Sequence, residues 1–401
     1  MRLFLFAFLV LGVACGDDSS ATPETGVDAA TEAGAEVGVD AGIDAALEMA
    51  VDAGPQTPRE RLSFGGPFAI GFSTLNVSYT AIDESGPREL EVDVWYPAAD
   101  GAEGGFAEYA LRNSTSAVVD APAADGSFPT FVFSHGNQVP ADVSSLLMEH
   151  LASHGMVVIA PGHTGNTSIL ADRDTAIYYH RPADVSAALT AVLDDGRLGA
   201  SAGTPRIVGG HSFGGYTALA VGGASYDTTF IREGCESGDL DKPICTDLDD
   251  EDVALFQAGF YDDRFSAVVA MAPGDADLFG EGTSTLQLPL FHMVAENDGA
   301  PRGESANDTI WANAPGVNDL RWNLLQSDHN AFTDTCLGLI RLRCSDEIEP
   351  ELEVEYIRTY LLAYLVARVI TTPESAEAEA VLTASDAQVE LATSEDRPSE
   401  E

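Results

Sequence analysis

Two hydrophobic rhythms run through the chain. "LNVSYTAI" (75–82) and "RELEVDVWYP" (88–97) alternate apolar and polar positions, the period of strands with one wet face. Glu84-Ser85-Gly86-Pro87 supplies turn residues between them, so the two are expected as an antiparallel pair. Further along, "PTFVFSHG", "MVVIAPGH", "PRIVGGHS", "FSAVVAMAP", "PLFHMVAE" and "LRWNLLQSDH" are short continuous apolar runs. Runs without alternation suit strands covered on both faces of a parallel sheet. Helical spacing fills the gaps in "ADVSSLLMEHLASHG", which ends on a capping glycine, in "RPADVSAALTAVLDD" and in "GGYTALAVGGA". Strand and helix in alternation predict an α/β fold: a mostly parallel, doubly wound sheet with antiparallel first strands and helices on both faces. One domain is expected over 62–370. A segment at 226–264 interrupts the pattern and falls where a cap over a site would lie.

The ends read differently. "MRLFLFAFLVLGVAC" has a positive Arg2 and an apolar run from Leu3 to Ala14, too short to span a bilayer. Residues 1–15 are expected as a signal peptide. Gly12-Val13-Ala14-Cys15 resembles a bacterial lipoprotein signal, in which Cys15 would be lipidated, although Gly12 stands where that signal has a leucine-like residue. Plain cleavage is the alternative. The chain is therefore expected to be exported: lipid-anchored to a bacterial outer membrane or cell surface, or else periplasmic or secreted. Residues 16–61 are mostly Asp, Glu, Ala, Gly and Thr, too poor in apolar surface to fold, and are expected as a disordered acidic linker. The same composition makes 371–401 an expected disordered tail.

Charge narrows the partners. The 401 residues carry 65 Asp and Glu against 19 Lys and Arg, a net charge of −46, which argues against nucleic acid. Membrane contact is expected only through the N-terminal anchor, and the chain is expected to act as a monomer. Beyond Cys15, Cys235, Cys245, Cys336 and Cys344 are an even set in an exported chain. Cys235–Cys245 and Cys336–Cys344 are the simplest of three disulfide pairings. None has zinc spacing. "DLDDEDVALFQA" (247–258) fails the calcium-loop register, with Asp252 where glycine is needed and Ala258 where glutamate is needed. No cofactor or metal is called for.

"GHSFGGYTALA" (210–220) carries candidate chemistry. Gly210-x-Ser212-x-Gly214 between an expected strand and helix is the pattern of a nucleophile elbow, a sharp turn that lifts a serine clear of the sheet. A serine hydroxyl needs a base, and the base needs an acid to fix its tautomer. His329 in "QSDHNAF" follows the last strand and is the candidate base; His292, inside the apolar "LFHMV", reads as a core residue. Asp298 in "VAENDGAP" is the first candidate acid and Asp275 in "MAPGDADLF" the alternative, with Asp277 and Glu296 behind them. The backbone N–H groups of Phe213 and Asn137, the latter after the His135-Gly136 turn, are candidate oxyanion donors.

"VWYPA", "FVFSHGN", "LASHGMVVIAPGHTGNT", "RPADVSAAL", "GHSFGGYTALA" and "SDHNAF", in that order from about Gly65 to Val369, resemble dienelactone-hydrolase-like α/β-hydrolases, akin to platelet-activating-factor acetylhydrolases, chlorophyllases and bacterial cutinases. The resemblance implies an α/β-hydrolase fold and a Ser-His-Asp esterase, with Ser212, His329 and an Asp as triad and Asn137 and Phe213 as oxyanion donors. In the acetylhydrolases the acid sits one strand earlier, which keeps Asp275 open. Polyester-cutting cutinases carry an aromatic where this chain has Asn137, and a Trp after the strand ending here in "MAPGD". Dienelactone hydrolases use a cysteine where this chain has Ser212. The expected function is a serine carboxylic ester hydrolase or lipase-type enzyme acting on a small-molecule or lipid ester. An acetylhydrolase-like phospholipid or short-acyl esterase is the alternative. A catalytically silent surface binding module that keeps the fold is the rival of another class.

Overall fold

The computed structural model describes residues 57–398 except 172, 299–302, 339, 340 and 342, and gives no side-chain surroundings for 303–305. The expected signal peptide, Cys15 and residues 16–56 of the expected linker lie outside the described residues.

The described chain opens with α1 (Pro58–Ser63), β1 (Ala69–Thr80), β2 (Pro87–Ala98), β3 (Phe106–Glu108), β4 (Asn113–Val119) and β5 (Phe128–Ser134). It continues with α2 (Ser145–Ser153), β6 (Val157–Gly162), α3 (Thr175–Asp194), β7 (Ala202–His211) and α4 (Phe213–Val221). Then come α5 (Thr228–Ser237), α6 (Asp250–Ala258), β8 (Ala267–Met271), β9 (Leu290–Ala295), α7 (Gly303–Asn313) and β10 (Leu320–Leu324). The last elements are α8 (Pro350–Tyr364), α9 (Ser375–Leu382) and β11 (Val389–Thr393).

All the described strands join one sheet in the order β11-β10-β9-β8-β7-β5-β6-β2-β1-β4-β3. β1 and β2 form the expected antiparallel pair, with Leu75 opposite Val92. From β6 through β10 the neighbours run parallel. Continuous apolar runs are explained by two-sided burial. In β6, Val157 and Ile159 enter one core with α3 and α4, while Val158 and Ala160 enter the other with α2 and α8. β3 and β4 extend the sheet beyond β1. They have no counterpart in the hydrophobic pattern, because their short, small-residue stretches bury little.

Two expected boundaries change. Residues 57–61, expected in the linker, start the folded part: Thr57 and Glu60 close a capping box at the head of α1. The expected disordered tail is structured through residue 398. β11 lies antiparallel to β10, with Leu391 opposite Trp322, and α9 buries Ala378, Val381 and Leu382. The acidic composition hides this because some of the tail's charges are paired with the folded part: Asp386 with Arg59, Glu379 with Arg368, and Arg397 with Asp319. A few apolar side chains then suffice to dock the segment.

The 226–264 segment folds as α5, a turn at Pro243–Cys245 and α6. Cys235 is bonded to Cys245, and Cys336 to Cys344. The segment packs on the flank of α3, where Phe256 meets Tyr179 and Tyr226. It also reaches the loop that follows β8: the Asp227 N–H donates to Leu278 O at 3.0 Å, Tyr226 packs on Phe279, and Lys242 in the turn pairs with Asp275 and Asp277.

Candidate active site

β7 ends at His211 and α4 starts at Phe213, so Ser212 alone makes the turn, at φ 57° and ψ −119°. A non-glycine residue at positive φ stores about 1–3 kcal/mol of strain and needs surroundings that enforce it. The flanking glycines are those surroundings. A Cβ on Gly214 would lie 1.8 Å from the carbonyl oxygen of Ser134, and one on Gly210 would lie 2.4 Å from that of Gly214. Strand and helix can close this tightly only without side chains at both positions. The Ser212 N–H donates to Met271 O at 2.9 Å, tying the turn to β8.

His329 follows β10 in a short turn. Its Nε2 stands 2.9 Å from Ser212 Oγ and its Nδ1 stands 2.8 Å from Asp298 Oδ1. His329 and Asp298 are both almost wholly buried, so the pair is shielded from water. Asp298 sits in the turn after β9, beside the strand that carries His329. The two loops are sewn together: Asn297 N–H donates to Ser327 O at 2.9 Å, and Gln326 N–H donates to a Glu296 carboxylate oxygen at 2.7 Å. Glu296, one of the candidate acids, therefore clamps together the loops that carry Asp298 and His329. His211 backs the base. Its Nε2 donates to the carbonyl of His329 at 2.8 Å. Burial first, and the His329 ring second, push its pKa down to about 3, so it stays neutral beside His329.

The other aspartates are engaged elsewhere. Asp275 meets Lys242 and Arg173 and accepts a hydrogen bond from the Tyr178 hydroxyl at 3.0 Å. Burial would raise its pKa, but Lys242, Arg173 and Tyr178 together hold it below the ordinary range. Asp277 pairs with Lys242 at 2.9 Å. His292 is a core residue, 3.1 Å from Asn307 Oδ1, with burial pushing its pKa down to about 3.

The loop after β5 runs against Ser212. A Cβ on Gly136 would lie 3.6 Å from the Cβ of Ser212, so the chain passes the elbow at van der Waals distance and leads straight into Asn137. A Cβ on Gly274 would lie 3.4 Å from Ser212 Oγ and 3.5 Å from the amide nitrogen of Phe213, so that glycine keeps the space before them open. Beneath the loop lies a buried polar network. His163 Nδ1 donates to Asp184 Oδ2 at 2.9 Å, and Ser134 Oγ donates to His163 Nε2 at 2.8 Å. Asp184 also accepts from Tyr79 and Arg88. Arg181 donates to the Ser134 hydroxyl at 3.1 Å and to the carbonyl of His135. Pro182 follows it inside α3 and removes the amide that would have bonded the carbonyl of Tyr178; the Tyr216 hydroxyl fills that gap at 3.0 Å.

A family model described as chlorophyllase matches residues 105–231, a stretch that includes Asn137 and Ser212 and ends before Asp298 and His329. A ferulic acid esterase from Streptomyces cinnamoneus superposes with a TM-score of 0.59 over 81% of this chain and 96% of its own, at 19% sequence identity. The chain has the α/β-hydrolase fold. No curated protein sequence matches it. Within the hydrolase fold, the structure brings together Ser212, His329 and Asp298 and leaves Asp275, Asp277, Glu296 and His292 in other roles. Sequence reasoning passes over His163, Asn166, Arg181, Asp184 and His211. The available signal is Arg181 and Asp184 three apart in an otherwise apolar helix, "YYHRPADVSAAL", where paired charges belong inside the protein.

Proposed function

We propose that the protein is a serine ester hydrolase. The observation that carries this reading is the unbroken hydrogen-bond chain Ser212–His329–Asp298 at a strained elbow. Ser212 Oγ attacks the ester carbonyl while His329 Nε2 takes its proton, and Asp298 holds the ring and stabilises the imidazolium. The Phe213 and Asn137 amides bind the oxyanion of the tetrahedral intermediate. The intermediate collapses, His329 gives its proton to the departing alkoxide, and the acyl group stays on Ser212. Water, deprotonated by His329, then attacks the acyl-enzyme and releases the acid. None of these steps draws on a metal or cofactor. The chlorophyllase-family match and the esterase neighbour support an ester as the substrate class. The signal-like N-terminus and Cys15 support an exported, lipid-anchored location, and the pairing of all four later cysteines agrees with export.

The test is a panel of p-nitrophenyl esters of graded acyl length, with a short-acyl phospholipid included, together with a fluorophosphonate probe. Hydrolysis by the wild type, labelling at Ser212 and loss of both in Ser212→Ala are expected. A folded wild type that neither hydrolyses nor labels would instead be a silent binding module.

A further inference from the structure

We propose that Arg181 is a positioning residue for the oxyanion site, a single buried guanidinium that sets the Asn137 and Phe213 amides relative to Ser212. The proposal rests on the ester-hydrolase reading above. Arg181 is fully buried, and its planar fork reaches two separate elements. Toward the loop after β5, it donates to the carbonyl of His135 and, through Nη1, to Asn166 Oδ1 at 2.7 Å. Asn166 Nδ2 in turn donates to Asn137 Oδ1 at 2.9 Å. Toward the elbow, Arg181 Nε donates to Thr217 Oγ1 at 3.1 Å, and Thr217 Oγ1 donates to the carbonyl of Phe213 at 2.9 Å. The guanidinium carbon also lies 4.6 Å from the centroid of the Phe213 ring. Both candidate donors are thus held from behind by the same side chain.

Stability alone is a poor reason for this arrangement. Burying a guanidinium costs several kcal/mol, and well-packed apolar residues often serve a core better. The hydrogen bonds described for Arg181 go to hydroxyl, amide and carbonyl oxygens, with no carboxylate among them. Burial accordingly pushes its pKa down to about 9, against the pull of Asp184. A positive charge so weakly compensated, lying behind two amides, favours the negative charge that develops in front of them. Lysine carries the same charge but cannot bond in three fixed directions.

The test compares Arg181→Lys with the wild type using kcat and KM for p-nitrophenyl butyrate and the inhibition constant of an aliphatic trifluoromethyl ketone. That ketone forms a tetrahedral adduct whose oxyanion sits where the intermediate's does. Arg181→Lys is expected to lower kcat by about 10-fold to 100-fold, leave KM within about twofold and weaken the ketone in proportion to kcat. A folded variant with wild-type kcat and ketone affinity would overturn the proposal, and so would a loss of kcat with ketone affinity unchanged. Should Arg181→Lys not fold, Thr217→Val removes only the arm to Phe213, and a parallel several-fold loss of kcat and ketone affinity is expected. Unchanged values there count against the proposal equally. A wild type that neither labels with fluorophosphonate nor binds the ketone would overturn the hydrolase reading itself, whereas a reactive wild type with insensitive variants would overturn Arg181 alone.

Discussion

Ser212 keeps its positive φ because Gly210 and Gly214 put no side chain in its way. The tolerance at position 214 is nil: a methyl group there would overlap the Ser134 carbonyl, and that carbonyl belongs to β5. Gly214→Ala should therefore move the elbow, reduce hydrolysis by at least about 100-fold and lower the unfolding midpoint; activity assays and a urea titration on one sample check both. The two candidate acids have different partners, Asp298 the His329 ring and Asp275 the Lys242 and Arg173 cations. On the ester-hydrolase proposal, Asp298→Asn removes the charge that orients His329 and should lower kcat by about 10⁴-fold, while Asp275→Asn should cost far less. Equal and mild losses at the two would show that neither aspartate orients His329. That Ser212, His329 and Asp298 come together is legible in the sequence, because the proposed triad needs specific residue types at strand ends, and apolar runs mark those ends. Arg181 is not legible in the same way. Its proposed role depends on Asn166, Thr217 and His135 arriving from three other places, and chain order does not encode that meeting.

At the scale of elements, composition misleads at the C-terminus. Sparse apolar residues among acids look like a solvated tail until their partners are known. Leu382 is fully buried, between α8 and the edge of the sheet. Leu382→Ala should cost about 2–5 kcal/mol, as for other buried leucines, and the shift in urea midpoint measures it. No loss would mean that α9 does not dock in solution. β11 also covers the outer edge of β10, so a chain ending at Ile370 should expose that edge and aggregate more readily, as light scattering would report. The parallel strands are the most legible elements, since burial on both faces writes itself as an unbroken apolar run.

For the whole molecule, buried histidines govern behaviour in mild acid. Burial holds the pKa of His163, His211 and His292 at about 3 and that of His135 well below the ordinary value. In the unfolded chain each would titrate near about 6.5. The unfolded state therefore binds more protons as pH falls, and stability present above about pH 6.5 is lost toward the folded values, at up to about 1.4 kcal/mol per pH unit for each histidine. Burial also raises the carboxyls of Asp93 and Glu353 to about 7 and that of Asp334 to about 6, and these act with the opposite sign in the same window, since their folded form binds protons first. Comparison with a variant separates the two: from pH 7 to 5 the urea midpoint of the wild type should fall by more than that of His292→Gln, and an equal change in both would contradict the buried, neutral state of that ring. Only part of this is legible in the sequence: the apolar run around His292 marks it as a core residue, whereas the order of His135, His163 and His211 along the chain does not give their depth.

The polar network under the β5 loop repeats, atom for atom, the order of partners at the elbow. A carboxylate, Asp184, holds one nitrogen of a histidine, His163, whose other nitrogen faces a serine hydroxyl, Ser134. A search for the geometry of three side chains would return this molecule twice. The second set has the geometry without the circumstances: Ser134 has no exposed surface, and Arg181 already donates to its oxygen. A reagent that modifies activated serines should mark one site on this chain and pass over the decoy. What separates a reactive hydroxyl from an inert one is therefore an opening and an unoccupied lone pair rather than the company of a histidine and an aspartate.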